Sequence, residues 1–152
     1  MEFRSAIVGR WVGEGKGWYP TIRDFGYIET VEVLDVGRAF LPYRQMTQTL
    51  DGAALHVETG YLRFPEQHRI ELVVAQPTGI SEALAGQIVL KGQCLVASLS
   101  SVQMAATETA KPVEATQRVL TLGDDELVIE FWMAAVGQPM SQHLASRLRR
   151  DP

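Results

Sequence analysis

Three features of this sequence predict an all-β fold, an antiparallel up-and-down barrel of about ten strands. The first is a stretch with a strand's period of two, Gly9-Arg10-Trp11-Val12-Gly13-Glu14-Gly15-Lys16-Gly17-Trp18. The second is a succession of short runs rich in β-branched and aromatic residues, each closed by turn residues. The third is the scarcity of any sustained helical period.

In the first stretch, residues 9, 11, 13, 15 and 17 share one face, which reads Gly, Trp, Gly, Gly, Gly. Arg10, Glu14 and Lys16 place the opposite face in water. A strand loses stability by holding so many glycines, so they mark a bend or a close approach by something bulky. A phosphate-binding loop is excluded, because no G-x-x-x-x-G-K-[ST] run occurs. On spacing alone the stretch reads equally as a curved strand bordering an internal cavity or as an ordinary glycine-rich twisted edge strand.

Phe25 to Val33 is the next strand, ended by Asp35-Val36-Gly37. Phe40 to Thr49 follows, and Leu50-Asp51-Gly52 supplies a hairpin turn. His56 to Phe64 stops at Pro65, and Arg69 to Ala75 stops at Pro77-Thr78-Gly79. Ile80 to Ala85 reads as a turn of helix between two glycines. Gln87–Leu90, Cys94–Leu99, Val113–Leu120 and Leu127–Ala135 complete the strand-like runs. From Gly137 to Leu148 periodicity does not choose: Leu144 and Leu148 fit either a helix or one face of a strand. If it is a strand, His143 lies opposite the leucines.

No linker or repeat divides the chain, so residues 1–152 read as one domain, large enough to bury a core. Net charge is −4, from 14 Lys and Arg against 18 Asp and Glu. Without a basic block beyond Arg147–Arg150, nucleic acid is not expected as a partner. The lone Cys94 allows no intramolecular disulfide. No long apolar run follows Met1-Glu2-Phe3-Arg4-Ser5, so neither a leader nor a membrane span is expected. The expected location is cytoplasmic, and the composition is compatible with a homodimer.

Candidate chemistry is sparse. His68 sits in a polar turn, and His56 in a strand reads as a hydrogen-bonded structural residue. His143 by itself reads as a surface residue near the chain end, and Met133 as core. Glu29, Glu32, Glu58 and Glu71 lie in strands, where each can pair with an arginine across a sheet. No H-E-x-x-H or C-x-x-C pair occurs.

The run Gly9-x-Trp11-x-Gly13-x-Gly15 with Tyr19-Pro20-Thr21-Ile22 resembles the signature of the nitrobindins, small haem-binding β-barrels. The resemblance continues through Phe25-x-Tyr27-x-Glu29, Leu41-x-Tyr43-x-Gln45 and His56-x-Glu58-x-Gly60-Tyr61-x-Arg63. It closes with Thr109-Ala110-Lys111 and Met133…Gly137-x-Pro139…His143-Leu144. It implies a haem b at one mouth of the barrel with His143 on the iron, as both metal ligand and catalytic residue. Thr21 and Lys111 match positions that touch the haem, Met133 and Leu55 would line the pocket, and His56 would stand near the rim. A single matched ligand leaves the sixth iron position open. The resemblance therefore implies a peroxynitrite isomerase that rearranges peroxynitrite to nitrate and also binds nitric oxide. The rival reading is a haem-free carrier of an apolar ligand, of the fatty-acid-binding or lipocalin type, which has no use for His143.

Overall fold

The computed structural model describes residues 2–152. Ten antiparallel strands close on themselves: β1 (Gly9–Tyr19), β2 (Ile22–Val33), β3 (Phe40–Gln48), β4 (Ala54–Arg63), β5 (Arg69–Gln76), β6 (Ile80–Lys91), β7 (Cys94–Ala106), β8 (Val113–Leu122), β9 (Glu126–Ala135) and β10 (Ser141–Asp151). Each pairs with its sequence neighbours, and β1 pairs with β10 to complete the ring. Closure leaves no unpaired edge. Among the described residues no helix is long and apolar enough to cross a membrane.

Two elements depart from the sequence expectation. Ile80 to Ala85 is the start of β6, not a helical turn. Ile80, Glu82 and Leu84 point inward while Ser81 faces water, and ladders to β5 and β7 satisfy the backbone on both sides. A single helical turn cannot compete with two ladders. The second departure is a five-residue helix, α1 (Phe3–Ile7), where no element was expected. It packs Phe3 and Ile7 into one end of the barrel, beside Trp11, Leu41, Leu62 and Leu122. Its last carbonyls would be orphans in so short a helix. Instead Trp11 Nε1 donates to Ile7 O at 2.9 Å, and Arg150 donates to Ala6 O and Val8 O at 2.8 and 2.7 Å.

The inward face of β1 is as its glycines foretold, but the space they leave is used differently. A side chain at Gly15 would strike the Tyr27 ring, and one at Gly17 the Phe25 ring. Both rings come from β2 and lie flat across β1. So the glycines make room for two neighbouring aromatics, and these in turn line the cavity.

Candidate functional site

The barrel end opposite α1 opens into a cavity of about 570 Å³, within the range of cofactor sites. Near the mouth its wall carries Leu55, Ile80, Met104, Val113, Met133 and Leu144, alongside polar Gln76, Thr78 and Thr109. Deeper, it turns charged.

His143 stands in this wall because β10 is irregular there. Gln142 faces Trp132 and Leu144 faces Phe131 on β9, so His143 is the extra residue of a β-bulge. Alternation alone would point it away from Leu144. The bulge re-aims it, and both residues line the cavity. Its imidazole is half-buried among three rings: Tyr19 at 5.3 Å, Phe131 at 6.1 Å and Phe25 at 6.3 Å between centroids. Nδ1 lies 2.8 Å from the carbonyl oxygen of Trp18. A carbonyl only accepts, so Nδ1 carries the proton and Nε2 keeps its lone pair. Burial lowers the imidazole pKa below its usual 6.5, and the Trp18 carbonyl offsets this only in part. The group is thus a neutral base of fixed tautomer.

Tyr19 holds this corner together. Its hydroxyl contacts Met133 O at 3.2 Å and Ala135 O at 3.3 Å, and it accepts from Ala135 N at 3.0 Å. That ties the end of β1 to the end of β9, across the bulged start of β10. Tyr19→Phe should cost about 1–3 kcal/mol, since buried backbone groups lose their partner. It should also speed solvent exchange of the His143 Nδ1 proton. Unchanged melting and unchanged imidazole-proton exchange by NMR would show that the hydroxyl does not hold the corner.

Below this level the interior holds ionised groups. Arg118 donates through Nη1 to Glu58 Oε1 and through Nη2 to Glu58 Oε2, the latter at 3.1 Å. Tyr43 donates its hydroxyl to Glu58 Oε1 at 3.0 Å, and His56 Nε2 lies 3.5 Å from Oε2. Burial alone would raise the Glu58 pKa, but Arg118, then His56, hold it down at about 2. Glu82 lies 3.9 Å from Arg118 Nη2 and accepts from Ser101 and Thr116 at 2.7–2.9 Å. The Arg118 guanidinium also sits 5.3 Å from the Phe131 ring centroid, linking this layer to the aromatic box around His143.

Of the residues expected at the site, His143, Lys111, Met133, Leu55 and His56 all line the cavity. Lys111 lies exposed in the β7–β8 connection, Leu55 at the start of β4, and His56 next to it. Thr21 is exposed in the β1–β2 turn at the same mouth and is not part of the cavity wall. Arg118, Glu82 and Gln45, and the aromatic box, were not singled out from sequence. Their signal was available: Thr116, Arg118, Leu120 and Leu122 share one phase of β8, so a charge interrupts an inward face.

The residues fit a haem. Among the described residues no group of three or more His, Cys, Asp or Glu could hold a bare metal ion. One neutral imidazole with a free Nε2 is instead the donor that suits an iron already bound by a porphyrin. The apolar residues of the upper wall suit the ring, and Lys111 suits a propionate as a point charge.

The family model for the THAP4-like, heme-binding β-barrel domain matches residues 4–150. A protein named peroxynitrite isomerase 1 from Mycolicibacterium paratuberculosis is 43% identical over 148 residues, 97% of this chain and 92% of that one. One named peroxynitrite isomerase from Nocardia farcinica is 42% identical, covering 97% and 88%. The crystal structure of Rv2717c from M. tuberculosis superposes with a TM-score of 0.93 at 42% identity, covering 97% of this chain and 94% of that one.

Proposed function

The chain belongs to the THAP4-like, heme-binding β-barrel family, and from that membership we propose that it holds haem b on His143 and isomerises peroxynitrite to nitrate. The relatives named peroxynitrite isomerase support the reaction. The observation that carries the reading is the His143 imidazole, with Nδ1 spent on Trp18 O and Nε2 free at the cavity wall. The span matched by the family supports taking residues 1–152 as one such domain.

Peroxynitrite and nitrate have the same atoms and the same charge, so the conversion consumes no acid, base or second substrate. Haem b, when bound, supplies a ferric iron that acts as a Lewis acid toward a small anion. The chain's own part is to hold and to enclose. Trp18 and the three rings around His143 fix the angle and tautomer of the ligand, which keeps its basicity at Nε2. Lys111 at the rim offers a cation to propionate, and His56 also lines the wall. Met133 and Leu55 offer apolar contact. The cavity confines the reacting atoms, so that fragments of the broken peroxide bond stay together. Thr21, on the turn at this mouth, is assigned a hydrogen bond to the haem edge.

With His143 as the one protein ligand, a ferrous haem held there would also bind nitric oxide. Cys94 as a free thiol supports a cytoplasmic location. The exposed Phe40, Tyr61 and Val73 on neighbouring strands support a homodimer. The carrier reading needs an apolar interior and gives His143 no task, whereas this interior holds Arg118 paired with Glu58 and the His143 imidazole is fixed on Trp18 O.

The test is stopped-flow mixing with peroxynitrite. Ferric holo-protein should speed its decay and raise the nitrate yield over the apo-protein. Equal decay with and without haem would remove the isomerase reading, while the Soret spectrum would report haem binding separately.

A further inference from the structure

Glu29 is a cavity-lining group that the proposed chemistry does not use. It lies on β2, 1% exposed, with its carboxylate facing the interior. The one buried arginine nearby is engaged elsewhere, by Glu58 at both Nη atoms and by Glu82 at 3.9 Å. Around Glu29, β1 offers only Gly13, and β10 brings the Ser146 hydroxyl, buried and without another partner, to its carboxyl. On β3, Gln45 donates its amide to Glu29 Oε1 at 2.5 Å, and Tyr43 is turned to Glu58. On its own strand Tyr27 is buried two residues away. Glu58 adds negative charge and Arg118 only distant positive charge. A carboxylate buried without a countercharge costs several kcal/mol, more than taking up a proton at neutral pH. Burial accordingly raises its pKa, against hydrogen bonds from Ser146 and Gln45 that offset this only in part, and the charge on Glu58 adds to the rise. In the acid form Oε1 receives the Gln45 amide, so the proton belongs on Oε2.

We propose that Glu29 is a fixed hydrogen-bond donor in the cavity, presenting its acid O–H to an acceptor oxygen or nitrogen of the small anion bound there. This rests on the reading of the cavity as the chamber for haem and a nitrogen-oxide ligand, and it assigns that ligand a recognition point other than the iron. A neutral donor suits a substrate and a product of equal charge, since it holds either without adding a charge of its own. No proton is transferred; the carboxylic acid donates a hydrogen bond and keeps its proton.

Infrared spectroscopy tests it in two arms. In apo-protein at neutral pH, the carbonyl stretch of a protonated carboxylic acid should be present and should vanish in Glu29→Gln. Its absence from the wild type would overturn the proposal. In ferric holo-protein, azide is the probe. The band should move to lower frequency on azide binding as the O–H gains an acceptor. Glu29→Leu should bind azide about ten-fold more weakly, the worth of one hydrogen bond to a charged acceptor. Glu29→Gln, which keeps an N–H donor, should recover most of that affinity, and haemin affinity should be equal in all three. An unshifted band, as when Ser146 Oγ already takes the acid O–H, overturns it, as does equal azide affinity in Glu29→Leu. If haemin does not bind at all, the haem reading fails on its own. Nitrate added to apo-protein then decides Glu29 by the same band, where a shift supports the donor and no shift rejects it.

Discussion

His143→Ala should lower haemin affinity by more than about a hundred-fold. Loss of a partner that only orients a metal ligand costs roughly 10–100-fold, and removal of the ligand itself must exceed that. The iron would lose its protein bond, and the Soret band would shift toward that of unligated haem. Residual binding would come from apolar contact with residues such as Met133 and from Lys111 at the rim. The barrel should survive, because the substitution removes one half-buried ring and its bond to Trp18 O. That is worth about 1 kcal/mol. Free imidazole should restore part of the affinity, since alanine leaves a gap of its size inside the box of Tyr19, Phe25 and Phe131. Haemin titration and melting of both proteins check this. Equal affinity and equal spectra would mean that His143 does not hold the iron.

The largest loss of stability should come from Arg118→Met. It leaves Glu58 and Glu82 in the interior without their cation, which costs about 3–5 kcal/mol. Small domains have a total stability of about 5–15 kcal/mol, so the variant should melt far below the wild type. Adding Glu58→Gln should recover part of the loss, because one of the two stranded charges is then gone. The two proteins should also respond oppositely to acid. In the wild type Glu58 is held at about 2, below its ordinary 4.5. Its pairing therefore contributes fully above the unfolded-state value and is lost as pH falls from 4.5 toward 2. In Arg118→Met the isolated carboxyl prefers its proton, so mild acid should narrow the gap between the two proteins. Urea midpoints at neutral and mildly acidic pH measure this. A gap that stays constant would show that Arg118 acts through packing rather than charge.

Much of the barrel could be read from residue order, because strand alternation and turn residues are local signals. Trp11 and the glycines of β1 announced their inward face in this way. Ile80 to Ala85 misled because Ala, Leu and Glu favour helix locally, whereas two flanking ladders decide the outcome. The site was harder for a different reason. A bulge adds one residue and reverses the phase, and nothing in Ser141-Gln142-His143-Leu144 signals where that residue falls. Only the family signature pointed to His143. Arg118 was legible in phase but not in meaning, since its partners Glu58 and Glu82 lie 60 and 36 positions away in the chain.

Among the described residues, α1 fills one end of the barrel and the cavity opens at the other. Traffic to its floor passes the mouth where His143 and Lys111 stand. Arrivals and departures therefore take turns, and product lingering at the threshold delays the next substrate. The same confinement works in favour of a rearrangement. Two halves of a molecule that part inside are held close by the walls, which favours their re-encounter.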